Sequence, residues 1–220
     1  MTLPGYAELH ALSNFSFQRG ASHPAELVQR AHALGYTALA LTDECSVAGV
    51  VRAHTEAQRL GLAFIPGSEF RWGPVCVVAL PRDVQGWGGL CEFITAARAR
   101  APKGRYVVDA QSPWALLRGC ELLLAPRREV FTDASDLIAI SAGLESARGL
   151  FCYKCWLAVE LHQPVGQKRF VVLAGRADVV LPRNIGAGEN GDDTGIGDII
   201  GIAQELFDQF AAAFANGHGP

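Results

Sequence analysis

Apolar residues along this chain recur with two alternating periods. Leu27, Val28, Ala31 and Leu34 fall at the three-and-four spacing of one helix face, behind Ser22 and Pro24 where a cap and a first-turn proline belong. Gly35 closes that helix, and residues 36–41 form a short apolar run that reads as a strand. The rhythm repeats with Ser46 as a cap, Val47, Val50, Val51 and Ala57 as a helix face ending at Gly61, and strands over 62–65 and 75–80. The pattern then predicts a helix over 90–100, another from Ser112-Pro113 through Leu117, a strand over 121–125, a helix over 133–148 and a strand over 155–161. Short apolar strands alternating with amphipathic helices imply a parallel sheet or barrel covered by helices, an α/β fold.

The last fifty or so residues read differently. Strands are expected over 170–174 and 177–181, then a Gly- and acid-rich linker over 183–198, then a helix over 199–215. The run from Gly188 to Asp193 lacks the carboxylate spacing and closing glutamate of a calcium loop. The expected organisation is a domain over 1–182, the linker over 183–198, and a C-terminal helix and tail over 199–220.

Composition narrows the class. The chain has 220 residues, 50% hydrophobic and 19% charged, which suits one sizeable globular core. A formal net charge of −3 excludes a globally basic nucleic-acid binder. The basic clusters at Arg98, Arg100, Lys103 and Arg105, and at Arg127 and Arg128, read as solvated helix ends and loops. With six scattered cysteines, no secretory leader and no apolar run of membrane-spanning length, free thiols in the cytoplasm are expected. Cys152 and Cys155 form a lone CxxC with no second pair to complete a zinc site, and read as core residues.

Candidate chemistry sits at the carboxyl ends of the expected strands, where α/β barrels place their sites. His10 ends the first strand, Asp43 and Glu44 follow the second, and Glu69 follows the third. A histidine and carboxylates converging from separate strands suit divalent metals that organise water and phosphate oxygens. Taken singly, Thr42-Asp43 is as often a helix cap.

Several ordered motifs give these residues a context. The stretch 6–24, YAELHALSNFSFQRGASHP, resembles the opening of the PHP (polymerase and histidinol phosphatase) domain of bacterial error-prone, C-family DNA polymerases of the polymerase III α-subunit type. Residues 38–51, ALALTDECSVAGVV, and 67–70, GSEF, are similar to that family's second and third motifs. Residues 86–98, 101–104 and 156–162 resemble the helix, loop and core strand that follow. The resemblance implies a PHP-type distorted (β/α) barrel, incomplete at its closing strands, with a divergent tail. It also implies membership of the DNA-directed DNA polymerase family, with translesion synthesis, repair and replication as setting and DNA and replisome proteins as partners.

The departures set the functional expectation. A metal-active PHP domain opens with His-x-His, whereas here His10 is kept and Leu12 takes the place of the second histidine; its Thr-Asp-His is Thr42-Asp43-Glu44; and Cys76 aligns with a ligand histidine. His162 lies near another ligand region, off register. His10, Asp43 and Glu69 are thus expected as the remnant of a larger metal site. No catalytic residue and no obligatory cofactor is expected, with a residual zinc, manganese or iron ion as the exception. The expected role is a structural fragment of an error-prone polymerase, with the palm absent. The alternatives are a stand-alone metal-dependent phosphoesterase and a non-functional gene remnant.

Overall fold

Strands β1 (Ala7–Ala11), β2 (Ala38–Leu41) and β3 (Ala63–Pro66) lie side by side in parallel, joined by helices α1 (Pro24–Ala33) and α2 (Val50–Leu60). These two βαβ units follow from the alternating patterns. The structure is a computed structural model and describes residues 6–73, 75–126, 155–162 and 168–173. The expected helices over 133–148 and 199–215, the strand over 177–181, the linker over 183–198 and Cys152 lie outside the described residues.

A second sheet runs in the order β4 (Ser68–Trp72), β5 (Val75–Pro81), β6 (Cys120–Pro126), β7 (Cys155–His162) and β8 (Lys168–Leu173). Only β6 and β7 pair in parallel within it; β4–β5, β5–β6 and β7–β8 are antiparallel. The fold is therefore mixed α/β with a parallel sheet, less uniformly parallel than the sequence rhythm implies. An isolated bridge from Glu44 to Glu69 links the two sheets, and β8 lies near β1 without a strand pairing among the described residues.

Strand parity sorts the cores. Every residue of β5 is buried, so both faces of this internal strand are covered. Cys76, Val78 and Leu80 point inward with Leu123 and Ala125 of β6, meeting Ala40 and Ile65 of the parallel sheet. Val75, Val77 and Ala79 point outward against helix α3 (Val84–Ala99) and a 3₁₀ turn (Trp114–Gly119). Leu39 and Leu41 of β2 face α1 and α2 through Val28, Ala31, Ala53 and Ala57. The interior between the sheets is thus an apolar layer whose rim carries the polar residues described below.

Local signals erred at three places. The cap of α1 is His23, whose backbone N–H donates to Glu26 at 2.8 Å; Pro24 at the first helical position makes its predecessor the cap. Ser46 does not cap α2, which starts behind Gly49. Its N–H donates to Ser68 Oγ at 3.0 Å and its Oγ accepts from Ala48 at 3.2 Å. Helix α3 begins at Val84, well before position 90, with the Asp83 side chain accepting from Gly86 at 2.7 Å. Gly86 and Gly89 look like helix breakers, yet a Cβ on either would collide with the backbone of Gly119 or Leu116. Close packing outweighs their low helix propensity.

Candidate functional site

His10 reaches the rim of the interior through a fault in its own strand. Leu9 packs into the layer between the sheets and Ala11 against the helices, although alternation would put both on one face. The register between β1 and β2 shifts between Glu8 and Ala11, and this bulge re-aims the intervening residues. Glu69 arrives from β4, opposite Val78 in the antiparallel register and hence on the inward face. Cys76, opposite Arg71, lies on that same face.

These three residues form a group. His10, Glu69 and Cys76 each offer a ligand atom, all within 4.8 Å of one another, a set that could hold one metal ion. His10 Nε2 stands 2.6 Å from Glu69 Oε2, and the Glu69 side chain is wholly buried. Arg19 completes the surroundings. Its Nη1 donates to Glu69 Oε1 and, at 2.9 Å, to Glu44 Oε2, while Nη2 lies 3.4 Å from Glu69 Oε2.

Asp43 goes elsewhere. Its Oδ1 accepts from the Ser13 backbone at 2.8 Å and from Ser16 Oγ at 2.6 Å, and its Oδ2 from Ser13 Oγ at 2.6 Å. Of the sequence-derived trio, then, the fold brings His10 and Glu69 together, whereas Asp43 anchors the loop after β1. Leu12 offers no donor.

Glu44 has its own partners. Tyr106 donates to its Oε1 at 2.8 Å, and Arg71 Nε lies 3.1 Å from the same oxygen. Burial is the largest single influence on Glu44 and opposes ionisation, but Arg19, Tyr106 and Arg71 together outweigh it and lower the carboxyl below its ordinary value. Burial, with Glu44 close by, pushes the Tyr106 phenol well up.

A carboxyl depressed in the folded state stabilises the fold above its unfolded value of about 4.3 and loses that contribution as pH falls through the lower folded value. Acidification from about pH 5 downward is therefore expected to lower the urea midpoint of the wild type more than that of Glu44→Gln. Equal acid losses in the two chains would mean that this carboxylate is not a stabilising anion.

The arginines and Tyr106 escaped the sequence reading. Arg19 lies 50 residues from Glu69 and Tyr106 lies 62 from Glu44, and no local period links them. Arg98 and Arg100, members of a basic cluster, are engaged within the fold. Arg98 Nε donates to the Cys45 carbonyl at 2.9 Å, and Arg100 pairs with Asp109 at 2.6 Å. Arg127 and Arg128 lie outside the described residues. Cys45, Cys76, Cys91 and Cys120 form no disulfide, and burial raises Cys45 to about 11 and Cys120 to about 12. No helix among the described residues is long and apolar enough to cross a membrane.

The motifs imply a multi-metal centre with a larger donor set than this one. Among the described residues the set falls short of it: Leu12 is apolar, Asp43 accepts from two serines, and Glu44 is held by two arginines and a tyrosine. Among the described residues three donors remain together, His10, Glu69 and Cys76, beside a cation that already neutralises Glu69.

Comparison with known proteins agrees with the motifs. The PHP domain family matches residues 8–154. An error-prone DNA polymerase of Methylococcus capsulatus is 52% identical over 159 residues, which cover 71% of this chain and 14% of that protein. One from Dechloromonas aromatica is 48% identical over 169 residues, covering 74% of this chain and 16% of its own length. The chain thus spans a small part of the length of the curated relatives it matches. Among solved structures, an amidohydrolase from Chromobacterium violaceum aligns at a TM-score of 0.46 and 18% identity, over 65% of this chain and 74% of its own.

Proposed function

We propose that this chain, which belongs to the PHP domain family, is a structural module of the error-prone DNA polymerase type, with neither polymerase nor phosphoesterase chemistry of its own. Its setting would be that of the polymerases it resembles: cytoplasmic, among DNA and replisome proteins, in copying past damaged template bases. The observation that carries this reading is the state of the site's carboxylates. Asp43, Glu44 and Glu69 are all satisfied by side chains of the protein itself. Hydrolysis of a phosphate ester by metal-activated water needs carboxylates that hold ions, and nucleotidyl transfer needs a two-metal clamp.

A second reading, a stand-alone metal-dependent phosphoesterase, draws on the close approach of His10, Glu69 and Cys76. The two are separated by assaying the purified chain on a primed template and on p-nitrophenyl phosphate, with added zinc or manganese. Neither reaction is expected above the blank. Template-directed incorporation would overturn the structural reading. Hydrolysis abolished by Glu69→Gln would install the phosphoesterase in its place.

A further inference from the structure

The metal that the donor set invites has a competitor in place. We propose that the Arg19 guanidinium is the resident cation of this centre, a tethered substitute for a metal ion, and that removing its charge uncovers a single-ion site on His10, Glu69 and Cys76. The proposal deepens the non-hydrolytic reading given above and rests on it for its setting.

Glu69 supplies the first argument. Its side chain is wholly buried, and a buried carboxylate needs a counter-charge. Arg19 provides that charge with one nitrogen on each carboxylate oxygen, and its Nη1 also takes Glu44. One cation thereby joins carboxylates from the β2–α2 loop and from β4, as a bridging ion would. A divalent ion entering between His10, Glu69 and Cys76 would meet that positive charge at a shared ligand.

The loop that delivers Arg19 supplies the second. The backbone N–H groups of Arg19 and Gly20 both donate to the Ser16 carbonyl, each at 3.0 Å, folding the loop back on itself. A Cβ on Gly20 would collide with the Ser13 carbonyl, so the return is as tight as glycine allows. Ser13 and Ser16 are the residues that grip Asp43. Asp43, which the motif places among metal ligands, here fixes the loop that carries the replacement cation. Loss of a ligand role at Asp43 and gain of a cation at Arg19 are two parts of one arrangement.

Cys76 decides which ion the uncovered site prefers. Thiolate and imidazole with one carboxylate favour zinc or cobalt(II) over magnesium or manganese. The test is a cobalt(II) titration of the full chain. It follows the cobalt–thiolate absorption against the same protein carrying Cys76→Ser, so that only this thiol is scored. The wild type is expected to give no Cys76-dependent absorption. Arg19→Gln and Arg19→Ala are expected to give it at one ion per chain, with zinc bound about 10- to 100-fold more tightly than by the wild type. Arg19→Lys, which keeps the charge, should show no such gain, and Glu69→Gln added to Arg19→Gln should erase it.

A wild-type chain that already shows the Cys76-dependent absorption at one ion per chain overturns the proposal, whatever the variants do. So does an Arg19→Gln chain with wild-type circular dichroism and no gain, or an Arg19→Lys chain that gains as much as Arg19→Gln. Should both neutral variants lose their fold, the wild-type titration decides. Phosphatase activity in the wild type would sink the non-hydrolytic reading while leaving the cobalt result to judge Arg19 separately.

Discussion

Phe93→Ala is expected to destabilise the fold by about 3–5 kcal/mol, the range for truncating a fully buried aromatic residue. Phe93 lies on α3 with no exposed surface. Its ring meets Phe70 of β4 edge-on at 4.8 Å and Trp114 of the 3₁₀ turn at 5.0 Å, and Trp114 in turn meets Trp72 at 5.3 Å. One side chain therefore joins the helix, the outer face of the second sheet and the turn that leads into β6. Surrounding backbone has little freedom to collapse into the hole, because Gly86 and Gly89 already bring α3 against Gly119 and Leu116 at the limit of contact. Urea unfolding followed by circular dichroism measures the loss. A shift below about 1 kcal/mol would show that this cluster can repack, against the packing density expected of a native core.

Asp43→Ala is expected to cost a similar amount, about 3–5 kcal/mol, for a different reason. The residue is 1% exposed, and its side chain accepts from the Ser13 backbone and from two serine hydroxyls. Its removal withdraws the acceptor from three donors in a buried setting, and hydrogen bonds to an ionised partner are the stronger kind. Asp43→Asn keeps one carbonyl oxygen and should lose roughly 1–3 kcal/mol. The two roles considered for Asp43 separate cleanly here. As the anchor of the Ser13–Ser16 loop, it gives a loss that is the same with a chelator or with added zinc. A metal ligand would give a loss that appears only when the wild type is saturated with ion, and that outcome would return Asp43 to the metal site.

What the sequence by itself determined is local or tied to motif order. Helix α1, with Pro24 at its start and Leu27, Val28 and Ala31 at helical spacing, needs only its own residues, and so does the unbroken apolar run of β5. The ordered motifs from residue 6 to 162 sufficed to indicate the family, because each preserves residue types at short spacings. They also exposed the departures at Leu12, Glu44 and Cys76. Strand β4 lies outside the elements that the apolar pattern predicts. Polar Glu69 and Arg71 alternate with Phe70 and Trp72, and only pairing with β5 makes that alternation a strand.

Tertiary structure decided which polar groups meet. Whether His10 faces the interior depends on a bulge between Glu8 and Ala11 that exists only because β1 pairs with β2. Asp43 and Glu44 are neighbours in sequence yet belong to different networks, one held by serines of the β1–α1 loop and the other by Arg19, Arg71 and Tyr106. Arg19 sits in a motif that was legible, but its partner is 50 residues away on another sheet. Periodicity encodes the face of a helix or strand over a few residues. A charge–charge contact near 3 Å depends on strand register, loop return and bulge position together, and these are settled only when the sheets pack.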